Sequence, residues 1–119
     1  MWLLNENMRN FFAQKAEFLL TTNSQIEKLD FSYFSGNQDK GEGAVVLSAL
    51  ANSNSLPSIT YIKCSQNESW WSEGKESNVE LLSNAIRAMT NLKYLDLYFS
   101  CFSSEAFTEI MNAIVANQE

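Results

Sequence analysis

A chain of 119 residues and 13.5 kDa, 45% hydrophobic and 13% aromatic, carries enough apolar material for one folded unit with its own core. Its 8 basic and 14 acidic residues leave a net charge of -6 and a pI near 4.6, opposite to the basic footprint of proteins that track phosphates, so neither nucleic acid nor an anionic membrane is an expected ligand. The absence of histidine removes histidine-based nucleophilic and acid-base chemistry and most transition-metal sites, so no catalytic residue, cofactor or metal is assigned and the chain is not expected to be an enzyme.

The chain begins Met1-Trp2-Leu3-Leu4, too short and without the basic start of a signal peptide, and no apolar run nears the roughly 18 residues of a membrane span. A soluble cytoplasmic protein is therefore expected. Apolar residues from Met8 to Leu20 fall at helical spacing and predict a helix over Asn7 to Leu20. Alternation through Leu29, Asp30, Phe31 and Ser32 then predicts a half-buried strand over Ile26 to Phe34. Gly36, Asn37, Asp39, Gly41 and Gly43 supply turn chemistry, in a spacing that matches no phosphate-binding loop.

A helix from about Glu42 to Ala51 follows, with Val46, Leu47 and Leu50 on one side. The second strand is expected over Leu56 to Cys64, with Pro57 at its start, where a missing N–H does least harm. Ser65 to Asn78 is a polar connection that holds two adjacent tryptophans, Trp70 and Trp71. Ser77 and Glu80 have the spacing of a capping box, ahead of Val79, Leu82, Ala85, Ile86 and Met89 at helical intervals. The last strand covers Leu92 to Phe99. Ser103 or Ser104 starts a final helix, with Phe107, Ile110, Met111 and Ile114 as its core stripe. Cys64 and Cys101, the two cysteines, form neither a disulfide framework nor a usual zinc site and are expected as buried thiols.

The strands share the spacing L-x-x-L-x-L: Ile26, Leu29, Phe31; then Leu56, Ile59, Tyr61; then Leu92, Leu95, Leu97. Their starts stand 30 and 36 residues apart, with the excess in the Trp70-Trp71 loop. This pattern resembles the ribonuclease-inhibitor-like class of leucine-rich repeats. The resemblance implies an α/β fold, a short leucine-rich-repeat solenoid with parallel strands on a concave face and helices on a convex one. It would be a single domain over 1–119, with a helical cap at 1–25 and repeats at 26–55, 56–91 and 92–119. The slot that holds asparagine or cysteine in that family holds Phe34, Cys64 and Ser100 here. A doubly wound sheet covered on both faces fits less well, because Asp30, Ser32, Thr60 and Asp96 interrupt the strands at alternate positions.

In that arrangement the leucines point inward, and Asp30, Tyr33, Ile62, Tyr94, Asp96, Tyr98 and Phe99 point to the open face. Asp30, Thr60 and Asp96 would share one column. The two aspartates would then lie about 9–10 Å apart, too far and too open for a catalytic pair. A tyrosine-rich strip with acidic spots is the composition of a protein-binding surface, so the expected ligand is another protein with a basic patch. Trp70 and Trp71 read either as a second anchor beside that face or as rings folded back over a helix end. A subunit of a larger complex is the alternative role. The family resemblance adds a third, the regulator of an enzyme such as a small GTPase.

Overall fold

A computed structural model of the chain describes residues 6–32, 41–65, 68–72, 74–97 and 102–118. Helix α1 (Glu6–Thr22) leads into β1 (Lys28–Asp30), and α2 (Glu42–Ala51) into β2 (Tyr61–Lys63). Helix α3 (Glu76–Ala88) leads into β3 (Tyr94–Asp96), and α4 (Ser104–Asn117) follows. The strands form one parallel sheet in the order β1-β2-β3. Helices α1 to α4 pack in chain order, each on the next. Sequential parallel strands joined by right-handed crossovers put their helices on one side of the sheet. The burial pattern agrees: Ile62 is buried and Leu29 and Leu95 pack against the core, whereas Lys28, Asp30 and Tyr94 on the opposite face are exposed.

The expected solenoid with a concave and a convex face is not what forms. The described residues make a small α/β unit of four α-helices on a three-stranded sheet, with a radius of gyration of 13.2 Å and extents of 40 × 34 × 23 Å. A globule of this length has a radius of gyration of about 13.5 Å, so there is no elongation to account for. Three strands of three residues each span only about 10 Å from first to last, which is too short to curve into a horseshoe.

The register of the middle strand also differs from expectation. Leu29 pairs with Ile62, and Ile62 with Leu95, so the matching triplet in β2 is Ile59, Ile62 and Cys64. Leu56 belongs instead to a 3-10 turn, Leu56–Ser58, with Pro57 at its start, the place where a fixed φ and an absent N–H are favourable. Corresponding residues of the three strands are therefore 33 apart in both intervals, and the Trp70-Trp71 loop contains no excess.

Polar side chains tie each layer to the next at the corner between helix ends and strand starts. Ser53 donates to the Leu20 carbonyl at 2.8 Å, and Ser55 to that of Asn23 at 2.8 Å. Asn91 donates to the Pro57 carbonyl at 2.6 Å, and Asn117 to those of Ile86 and Met89 at 2.7 Å each. The Leu20 carbonyl is one that the last turn of α1 leaves open, and those of Ile86 and Met89 accept the Asn117 amide in addition to the Met89 and Leu92 N–H groups. Helix α4 is capped as expected, with the Ser103 hydroxyl accepting from the Ala106 N–H at 3.1 Å. The capping box at Ser77 is not formed, since α3 starts at Glu76 with Lys75 before it. Asn78 turns back and donates to the Trp70 carbonyl at 3.0 Å.

Two glycines matter for α2. Gly41 precedes it at φ 104°, a left-handed conformation that other residues adopt at a cost. Gly43 lies in its first turn against Trp70, and a Cβ there would stand 2.9 Å from the indole ring. Glycine to alanine normally stabilises a helix by about 1 kcal/mol. At Gly43 the sign is expected to reverse, because overpacking a closed site costs about 1–3 kcal/mol. Urea denaturation of Gly43→Ala is expected to show a net loss of up to about 2 kcal/mol; a gain would mean that the tryptophan ring has room to move.

Candidate functional site

The open face of the sheet carries two rows of side chains. Lys28, Tyr61 and Tyr94 are in register across the strands, and so are Asp30, Lys63 and Asp96. In the first row the Tyr61 and Tyr94 rings stack at 4.5 Å between centroids with 4° between their planes. Tyr94 at the edge of the pair is 46% exposed. Parallel strands about 4.8 Å apart impose this spacing, so the backbone pre-forms the stack and the rings lose little freedom on binding.

The second row alternates in sign. Lys63 separates Asp30 from Asp96, where Thr60 was expected; the register of β2 accounts for the difference. Opposite charges on neighbouring strands favour the pairing modestly, by about 0.2–1 kcal/mol. The Ser32 N–H donates to Asp30 Oδ1 at 2.8 Å and fixes that carboxylate at the strand end. The Tyr94 hydroxyl donates to Asp96 Oδ2 at 3.4 Å. The Asp96 carboxylate beside it raises the Tyr94 phenol above its ordinary value, with smaller contributions from burial and Tyr61. The phenol therefore stays protonated and continues to donate well above neutral pH.

Of the residues expected on this face, Asp30, Tyr94 and Asp96 are present, and Tyr33, Tyr98 and Phe99 lie outside the described residues. Ile62 is not on it: the side chain is fully buried, facing the helices between Leu29 and Leu95. Tyr61 belongs to the face, although it fits a core slot of the strand pattern, because Leu56, Ile59 and Tyr61 satisfy the spacing as well as Ile59, Ile62 and Cys64 do.

Trp70 and Trp71 are core residues and present no anchor. Trp70 is fully buried against Phe31 and Trp71, at centroid distances of 6.1 and 6.0 Å. Trp71 reaches Phe102 at 5.2 Å. Cys64 is also fully buried, where desolvation, with Asp30 and Asp96 adding repulsion, pushes its thiol far up. It is a packing residue and not a nucleophile. Cys101 lies outside the described residues.

The helical side has apolar surface of a different kind. Phe11 and Phe18 on α1, and Phe107 and Val115 on α4, are each more than half exposed. Phe107 belongs to the stripe expected to face the core on α4. The inward positions are instead Ala13, Ala16 and Leu20 on α1 and Ala106, Ile110 and Ala113 on α4. Small residues let the outer helices approach their neighbours closely, and the large ones are left outside.

Among the described residues no group of three or more Cys, Asp or Glu is placed to hold a metal ion, and no helix is long and apolar enough to cross a membrane. No family model, curated protein or solved structure matches the chain.

Proposed function

We propose that the protein is a non-catalytic binding module that engages another protein through the open face of its sheet. The observation that carries this reading is the stacked Tyr61–Tyr94 pair, with Tyr94 exposed and Tyr61 half-buried, beside the charged row of Asp30, Lys63 and Asp96. Aromatic rings already ordered by the backbone add buried area on binding at small entropic cost, which is why tyrosine recurs at interface centres. Basic groups over Asp30 and Asp96 complete the partner's chemistry. The cytoplasm is the proposed setting, in keeping with a sequence whose two cysteines make no disulfide framework.

A second reading, a subunit held between neighbours in a larger assembly, is favoured by one separate observation. Apolar side chains are exposed on both outer helices, at 61% for Phe11 and 56% for Phe107, and such patches commonly mark protein contacts. Affinity capture from native extract, followed by binding measurements on the purified partner, separates the two. The double variant Tyr61→Ala, Tyr94→Ala is expected to bind about 30-fold more weakly or worse, as for a central aromatic hot spot. If that variant keeps its partner and Phe11→Ser with Phe107→Ser loses it, the assembly reading replaces the sheet-face reading.

A further inference from the structure

The sheet runs β1-β2-β3, and no strand pairs with the outer edge of β1 among the described residues. On the inner side the Glu27 carbonyl accepts from the Thr60 N–H at 2.8 Å, and the Phe31 N–H donates to the Lys63 carbonyl at 2.7 Å. Backbone groups of successive strand residues point to alternate sides. Glu27, Leu29 and Phe31 therefore serve β2, and the N–H and C=O groups of Lys28 and Asp30 point outward. Such a row of donors and acceptors is a template for a further strand.

The layer beneath that edge is open as well. A groove of about 370 Å³ lies between α1 and β1, with Ala16, Leu19, Ile26 and Leu29 in its lining. Leu19 is 45% exposed there, and Leu29 is half-buried. On the other flank of Leu29 the matching place is taken by Ile62, which is fully buried. A strand added at the edge sets its own helix-side residue next to Leu29 in this groove.

The kind of occupant follows from the two layers. Four helices packed in a row at about 8–10 Å are wider than three strands at about 4.8 Å, so the helix layer overhangs the sheet. Helix α1 stands at that end, and its Ala16, Leu19 and Leu20 roof the groove. The room beneath it suits a bare extended segment and not a second folded unit with helices of its own. Charge gives the segment its order. Lys28 and Asp30 are both exposed on the sheet's open face, on either side of Leu29, and Lys63 already stands beside Asp30 on the inner flank. A strand parallel to β1 meets Lys28 first and Asp30 last, so an acidic, an aliphatic and a basic residue in succession match all three positions.

We propose that an extended segment of a protein partner, with the order acidic–branched aliphatic–basic, adds to the outer edge of β1 as a fourth parallel strand. Its aliphatic side chain fills the groove under α1, and the N–H and C=O of that same residue bond to the Lys28 carbonyl and the Asp30 N–H. This rests on the reading of the protein as a binding module only in taking a protein as ligand, since Tyr61 and Tyr94 stand on β2 and β3 and line no part of the groove.

The test titrates the full chain, labelled with nitrogen-15, with the acetylated, amidated pentapeptide Thr-Glu-Ile-Lys-Thr in two-dimensional NMR. The Lys28 and Asp30 amide signals are expected to shift saturably and to exchange more slowly with solvent in the complex. Serine or N-methylisoleucine in place of the isoleucine, or the reversed order Thr-Lys-Ile-Glu-Thr, is each expected to weaken binding about tenfold or more. Leu19→Asp, a change at an exposed position, is expected to weaken it by a similar factor while the remaining amide spectrum is kept. No shift at millimolar peptide, or equal binding of the reversed or the N-methylated peptide, overturns the proposal. Shifts at Lys93 and Leu95 in place of Lys28 and Asp30 would also overturn it, in favour of the β3 edge. Tyr61→Ala with Tyr94→Ala is expected to bind the peptide unchanged, so failure at the sheet face and failure at the β1 edge are told apart.

Discussion

Trp70→Ala is expected to lose about 3–5 kcal/mol of stability, the range for removing a buried aromatic from a packed core. Against the roughly 5–15 kcal/mol that holds a domain of this size together, that is about a third or more of the total at the middle of the range and nearly all of it at the low end. The cause lies in what the ring touches. It fills the space above Gly43, where no Cβ fits, packs on Phe31 from the end of β1, and meets Trp71, which in turn reaches Phe102 ahead of α4. One side chain thus joins elements from the first strand to the last helix. Alanine leaves a cavity bordered by rigid groups, with Gly43 supplying no side chain to collapse into it. Equilibrium urea denaturation measures the loss. A change below about 1 kcal/mol would mean that the ring is dispensable to the core and would reopen its reading as a surface anchor.

The parts of the fold legible in the sequence are those in which one pattern admits one reading. Helix α3, with Val79, Leu82, Ala85 and Ile86 inward, shows a single apolar stripe, and α2, with Val46, Leu47 and Leu50 inward, is apolar on nearly every side, as suits a helix that lies between two others. On α4 Ile110 and Ile114 face the core as expected and Phe107 and Met111 do not, because α1 and α4 carry two apolar stripes, and spacing does not say which is buried. Alanine wins the inner side in both, since close helix approach rewards small residues over large ones. The tryptophans were ambiguous for a related reason. Nothing in a polar loop sequence marks where a ring points, yet Gly43, some 27 residues earlier, is the residue that makes room for Trp70. At the candidate site, Asp30, Tyr94 and Asp96 were legible from alternation in β1 and β3. Tyr61 and Ile62 were not, because β2 offers two overlapping triplets three residues apart. An odd shift in a strand exchanges its two faces. Pro57 decides between the triplets, by favouring the 3-10 turn that takes Leu56 out of the strand.

That register has a large and specific consequence at Ile62. Were the side chain on the open face, Ile62→Asp would be a surface change of about 0.5 kcal/mol or less. In the observed register Ile62 is fully buried in the central strand, between Leu29 and Leu95. A carboxylate there has no water and no cation to face, so a loss of at least about 4 kcal/mol is expected at pH 7. Its pH dependence is diagnostic. Burial raises the folded-state pKa of such a carboxyl above its unfolded value of about 3.9, so the folded state binds the proton more tightly and the penalty shrinks as pH falls. Urea titrations of the variant and the parent protein, both at pH 7 and pH 4, are expected to give a distinctly smaller difference at pH 4. A difference that is small at both values would place Ile62 on the surface and undo the assignment of Tyr61 and Lys63 to the open face. A difference that is large at pH 7 and shrinks on acidification would fix the β2 register, and with it the row of Asp30, Lys63 and Asp96 that a partner would meet.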